Sequence, residues 1–367
     1  MYTLLKNHSH YSIGKALTKL TGKMTGDKYQ SSELSQKCVE LGIGACALTD
    51  SNSLAGSVEL CDDFKRSGLK PILGLNLNIV NSLDQKNEGL HTLTLLAKNL
   101  NGWKNLIKIV SKSNDHDIYY KIPRLDYSTI KDYLSDLIIL TGSPDSLLFN
   151  RLFNCDPFGI KTVEEIQSCL VNDPLEQAID VLNLYKSLSD DVFIEISLLD
   201  RLQNPVLGFV LDIFREAASK VALKCVASPQ SRYINPADHI DQQILIASSA
   251  GLTLRKAKHL FRFHKQYIPS EMELIECGHI QEELENTNLV ASLCEKYSIF
   301  NKPMLPKFEW TDGLSEIDYL RKLCREGYLR RKRPEWDKNV YGERAKHELN
   351  IIENFDLAGY FLIVQDY

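Results

Sequence analysis

Gly44-Ala45-Cys46-Ala47-Leu48-Thr49-Asp50 is a short uncharged run that ends on a carboxylate, and its reading decides the fold. Such a run predicts a buried strand, with Asp50 just past its end. Upstream, 31–41 predicts a helix capped by Ser31 or Ser32, and downstream 57–67 predicts another. Apolar runs at 71–74, 93–97, 137–140, 192–196 and 225–227 predict further strands, and 103–110 lies in a further helix. Near the start, Leu4-Leu5 leads into His8-Ser9-His10. Strands alternating with helices predict an α/β chain of parallel strands and crossover helices. Either a barrel or a wound sheet then carries its site at the strand C-termini.

A chain of 367 residues, 44% hydrophobic and 25% charged, is long enough for about two domains. Its net charge of -5 offers no global attraction to nucleic acid, so such contact must come from local basic clusters. Nine cysteines with no Cys-x-x-Cys pair predict reduced, mostly buried thiols in a cytoplasmic protein. No stretch reads as a signal peptide, and none approaches the ~18 apolar residues of a membrane span. A protein without a membrane partner is expected. After about residue 235 strand signals fade into a charged helical connector. A Pro-bracketed loop at 302–308 comes next, then amphipathic helices at 315–331 and 341–355 and an apolar helix at 360–367.

His8 and His10 lie two apart, a spacing that on a strand turns both imidazoles to one face and toward one metal ion. Asp50 brings a carboxylate to the same rim. The bland reading has all three as hydrogen-bonded polar side chains. Two basic clusters could lie along DNA phosphates or be solvated helix faces. One is 255–265, where cations alternate with aromatics; the other is Arg321, Lys322, Arg325, Arg330, Arg331 and Lys332, partly balanced by Glu326 and Glu335. Asp115-His116-Asp117 reads as a solvated turn.

Several motifs together carry a family resemblance. His8-Ser9-His10-Tyr11-Ser12, Ala47-Leu48-Thr49-Asp50, Gly68-Leu69-Lys70-Pro71-Ile72-Leu73-Gly74 and Leu95-Leu96-Ala97-Lys98-Asn99 stand in the order of the polymerase-and-histidinol-phosphatase (PHP) domain. That domain opens bacterial DNA polymerase III alpha subunits. Leu305-Pro306-Lys307-Phe308, Tyr319-Leu320-Arg321-Lys322 and Ala358-Gly359-Tyr360-Phe361-Leu362 resemble the region C-terminal to it in those subunits. The resemblance implies a PHP-type distorted (β/α) barrel followed by a mostly helical segment leading into a partial polymerase-beta-like palm. It places the PHP domain at 1–270, with the helical connector from about 236, and the palm's beginning at 271–367.

The resemblance also implies a degenerate metal site. His8, His10 and Asp50 match family ligands, while Ser51, Asn76, Thr92, Ser143, Gln230 and Arg232 stand where other ligands would be. His91 is one residue off register and would face the opposite way from Thr92. Neutral side chains cannot clamp the two ions of a cluster mechanism. A single zinc or manganese on the three survivors remains one alternative, and hydrogen bonding among them, with Arg232, the other.

The palm's aspartates, which would hold Mg2+, are expected outside this chain, so no catalytic residue is assigned within it. The implied role is structural, within a replicative subunit that meets DNA through the complete polymerase. Its implied partners are the remaining palm, fingers and thumb and a proofreading exonuclease subunit. A PHP phosphoesterase or 3′–5′ exonuclease, and the non-catalytic half of a split polymerase, are the alternatives.

Overall fold

The computed structural model describes residues 1–84, 89–158, 160, 162–301 and 313–367. They form two compact units, Met1–Ile299 and Phe300–Tyr367. The expected loop at 302–308, with Leu305-Pro306-Lys307-Phe308, lies outside the described residues.

In the first unit a small hairpin, β1 (Lys23–Thr25) and β2 (Lys28–Gln30), precedes helix α1 (Glu33–Glu40). Ser32 caps α1 by accepting from the Ser35 N–H. The sheet then begins with β3 (Ala45–Leu48), α2 (Ser57–Ser67) and β4 (Lys70–Val80). Gly68 ends α2 in the left-handed conformation, φ 72°. Next come β5 (His91–Ala97), α3 (Leu100–Ser113), the short β6 (Leu125–Asp126), α4 (Tyr127–Ile130) and β7 (Leu137–Thr141). Helices α5 (Leu147–Asn150), α6 (Val163–Cys169) and α7 (Pro174–Leu188) lead to β8 (Val192–Ile196), α8 (Val206–Val221) and β9 (Lys224–Ala227). Three further helices complete the unit, α9 (His239–Ser249), α10 (Glu271–Glu276) and α11 (Gln281–Leu293).

The strands are ordered β3-β4-β5-β7-β8-β9, with β6 against β4. β3–β4, β7–β8 and β8–β9 are parallel, as expected. The expectation of parallel strands throughout is corrected at β5, which runs antiparallel to both β4 and β7. Only 81–90 separates β4 from β5, less than the dozen or more residues a parallel crossover needs, so the chain turns back.

The ring is closed by the first residues of the chain. On one side Ala47 and Thr49 donate N–H bonds to the Leu4 and Asn7 carbonyls at 2.7 and 2.8 Å. On the other, His8 N–H donates to the Ser231 carbonyl at 2.9 Å and Ser231 N–H to the Lys6 carbonyl at 3.2 Å. The segment therefore satisfies both open edges of the curled sheet.

Alternation divides the side chains between the inside of the curl and the helices around it. Ala45, Ala47, Ile72, Leu96, Leu140 and Phe193 face inward and pack with Val290, Ala291 and Cys294 at the end of α11. Outward, Cys46, Leu48 and Leu73 meet α1 and α2, while Leu93, Leu95, Ile139 and Ile194 meet α3, α7 and α8. Lys70, at the start of β4, donates to the Ala291 and Cys294 carbonyls at 2.7 and 2.5 Å, a cation seated on the end of α11. Asn286 donates to the Cys225 carbonyl at 2.9 Å. The first compact unit runs to Ile299, and α11 closes the floor of its barrel.

The expectation of uniformly reduced thiols is corrected at Cys155 and Cys169, which are bonded at 2.12 Å. The Asn154 N–H bond to the Cys169 carbonyl, 2.8 Å, brings the two segments together.

The described part of the second unit is helical throughout, with α12 (Glu316–Arg331) capped by Ser315, α13 (Lys338–Asn354) capped by Asp337, and α14 (Ala358–Asp366). Leu320, Ala358 and Leu362 form its small core, with Leu349 and Ile352 against them.

If α11 is the barrel floor, a fragment ending at residue 299 unfolds in one cooperative urea transition, while one ending at 270 shows none. Cooperative unfolding of the shorter fragment contradicts this assignment.

Candidate functional site

The site expected at the strand C-termini is built from the turn just after the closing segment. Asn7 and Ser9 each make a single bridge, and Ser12 N–H bonds back to the Ser9 carbonyl at 2.8 Å, so the chain turns instead of continuing as a strand. Asp50, buried just past β3, accepts the Ser9 N–H at 2.7 Å and the Ser9 and Ser12 hydroxyls at 2.6 Å each. Ser12 Oγ also lies 3.4 Å from His8 Nδ1 and accepts the Ser51 N–H at 3.0 Å. Burial raises the Asp50 carboxyl above its ordinary range, and these donors oppose that rise.

His8 and Asp50 are thereby joined through Ser12, but the expectation that both imidazoles share one face is corrected. His8 is fully buried with Nε2 unpartnered, whereas His10 is exposed, 3.2 Å from the Thr18 carbonyl and packed on the Tyr11 ring. The turn at Ser9 separates them. Among the described residues no group of three or more His, Cys, Asp or Glu is placed to hold a metal ion. The unpartnered Nε2 of His8 suits a metal, but Asp50, which already accepts three hydrogen bonds, suits one poorly. The cations beside His8 do not suit one: after burial, Arg232, Lys6 and Lys15 hold its imidazole well below the ordinary range. The residues present do not fit a metal cluster.

Of the replacements, Asn76 is tied to the neighbouring strand and to the turn after β3. Thr94 Oγ1 donates to Asn76 Oδ1 at 3.3 Å, and Asn76 N–H to the Asp50 carbonyl at 3.0 Å. Gly142 has φ 110°, and a Cβ there would lie 2.7 Å from the Glu195 carbonyl, so that turn admits only glycine. His91 pairs with Ile79 across the sheet and lies near Asn150, away from the Asn76–Thr94 pair.

One feature escaped the sequence reading. Lys6 and Glu195 form an ion pair at 3.2 Å, each 1% exposed, and Ser228 donates to the same carboxylate at 2.8 Å. The signal was available, since each is a lone charge in an apolar run. Such a pair keeps its strands in register because loss of either partner leaves a buried charge.

The candidate DNA contacts lie on α12. Arg321 is tied to Asp318 at 3.1 Å and Glu353 at 2.6 Å, and Lys322 sits over the Tyr319 ring. Arg325, Arg330, Arg331 and Lys332 are exposed, the last three at the helix C-terminus, where cations suit the dipole. In the 255–265 cluster, Arg262 pairs with Asp156 at 2.9 Å. His116 and Asp117 are fully exposed, consistent with a solvated turn.

A barrel closed by its own N-terminal segment, with a His-x-His turn against an Asp at the strand ends, defines a family. The PHP domain model matches residues 5–198, more than half of the chain, and the chain belongs to that family. Its relatives then narrow the resemblance to DNA polymerase III alpha subunits. DNA polymerase III subunit alpha of Rickettsia bellii is 30% identical over 90% of this chain and 28% of that protein. The Escherichia coli K12 protein of the same name is 29% identical over 99% of this chain and 29% of its own length. The chain thus spans less than a third of the curated relatives it matches. A solved structure from Bifidobacterium adolescentis, provisionally assigned as a metal-dependent phosphoesterase, overlays with TM-score 0.38 at 10% identity, covering 62% of this chain and 86% of that one. That overlay carries no functional weight. No described helix is long and apolar enough to cross a membrane.

The depressed His8 value has a pH consequence. The unfolded chain takes up this proton first, so the stability is present above about pH 6.5 and lost as pH falls below it. Urea unfolding between pH 7 and pH 5.5 is expected to show a loss of up to about 1.4 kcal/mol per pH unit from this group. His8→Gln flattens that dependence; identical slopes in the two proteins contradict it.

Proposed function

We propose that this chain acts in DNA replication as the N-terminal part of a DNA polymerase III alpha-like subunit, its PHP domain serving as a structural and partner-docking domain. The observation that carries this reading is the state of Asp50. Its carboxylate is engaged by Ser9 and Ser12, beside an imidazole crowded by Lys6, Lys15 and Arg232. A hydrolytic site needs a carboxylate and imidazoles free to hold metal and activate water. The relatives matched over nearly the whole chain supply the polymerase context.

On this reading, residues outside the chain provide the remaining palm, fingers and thumb, with the aspartates that hold Mg2+ for nucleotidyl transfer. DNA is bound through the complete polymerase, with Arg325, Arg330, Arg331 and Lys332 available to its phosphates. The proofreading exonuclease subunit docks on the PHP domain, in the cytoplasm, and the role needs no resident zinc or manganese.

The test is a pair of assays on the purified chain with Mg2+, Mn2+ or Zn2+ supplied: primer extension and 3′–5′ hydrolysis of a labelled oligonucleotide. Neither is expected to exceed background. Metal-dependent hydrolysis that disappears in His8→Ala would sink the structural reading and establish a PHP nuclease.

A further inference from the structure

We propose that the groove between α12 and α13 docks an acidic amphipathic helix of a partner protein. Helix α13 runs for 17 residues and buries none of them. A lone helix of that length is marginal in water and takes most of its stability from an apolar face packed on a neighbour. The small core of the second unit, Leu320, Ala358 and Leu362, is met by α13 only near its end, through Leu349 and Ile352. Ahead of that contact α13 faces α12 across a groove of about 690 Å³. None of the residues lining it is buried, so the space is too open to enclose a small ligand, of which a pocket normally covers roughly 70–90%.

Spacing and charge give the occupant. On α13 the lining recurs every three to four residues, at Lys338, Tyr341, Ala345 and Leu349, and Tyr328 and Leu329 answer from α12. This stripe is about 16 Å long at 1.5 Å per residue, room for the i, i+4 and i+7 side chains of a docked helix. Leu329 is 54% and Tyr341 42% exposed, which lays apolar surface open in one place. Arg325, Lys338 and Lys346 stand around it, and among the described residues none of the three has an ion-pair partner and no Asp or Glu lines the groove. The helix that complements this surface carries Leu or Phe along one face with Asp or Glu beside them. Nucleic acid fits less well, since Leu329, Ala345 and Leu349 are aliphatic and the Tyr341 ring is already stacked on Trp336 at 4.6 Å. Of the cations offered above to DNA, Arg325 is the one that lines the groove, so Lys338 and Lys346 report on the groove and not on the polymerase reading.

Fluorescence anisotropy of the full chain with three labelled probes tests this. They are a synthetic peptide with Leu at every third or fourth position and Glu beside them, a scrambled peptide of the same composition, and a short single-stranded oligonucleotide. Saturable one-to-one binding is expected for the first, about tenfold or more tighter than for the other two, with a gain of helical circular dichroism on binding. Lys338→Glu combined with Lys346→Glu is expected to weaken it by about tenfold or more, and Leu329→Ser by a similar factor. All three side chains are exposed, so the variants keep the fold, which circular dichroism of the free chain checks. Absence of saturable binding, equal binding of the scrambled peptide, or affinity unchanged in either variant overturns the proposal. Tighter binding of the oligonucleotide overturns it too and assigns the groove to nucleic acid.

Discussion

The backbone bonds of the first residues hold the rest in place. Leu4 and Asn7 accept from β3 on one side, and Lys6 and His8 exchange bonds with Ser231 on the other. Without this segment the sheet would present two open edges, and the interior lined by Ala45, Ala47, Leu140 and Phe193 would open to water. Lys6 and Glu195 add an electrostatic lock between the closing segment and β8. The closing segment also delivers His8 and Ser9 to Asp50, so closure and site assembly are one event.

That coupling explains how a family site can become part of the framework. The donors on Asp50 come from Ser9 and Ser12, within the same turn as His8. A carboxylate so engaged fixes the turn but has little left to offer a metal. The surrounding Asn76–Thr94 contact and the cations at Lys6, Lys15 and Arg232 extend the same change of chemistry. At the opposite end, Lys70 and α11 seal the barrel with apolar side chains and a capped helix terminus.

Local features were legible in the sequence where local chemistry decides them. Helix α2 falls at 57–67 as read, because its apolar spacing ends on a glycine that can take φ 72°. The direction of β5 was not legible, since a buried run such as 93–97 has the same pattern whichever way it runs. The length of β4 was hidden by Asn76 and Asn78, polar residues that interrupt the apolar run yet continue its ladder with Thr94 and Thr92. At the site, His8, His10 and Asp50 were identifiable as a group, but the turn that buries one imidazole and exposes the other depends on Ser9 and Ser12 bonding across to Asp50. The Cys155–Cys169 bond and the Lys6–Glu195 pair are tertiary facts of the same kind.

The central claim is that the cluster around Asp50 belongs to the framework and no longer ligates metal. Anomalous diffraction from crystals grown with zinc and with manganese tests it most directly. The account predicts no anomalous peak within coordination distance, ~2.0–2.2 Å, of His8 Nε2 and the Asp50 carboxylate. A strong peak bridging those two side chains, with Asp50 turned away from Ser9 and Ser12, would contradict it.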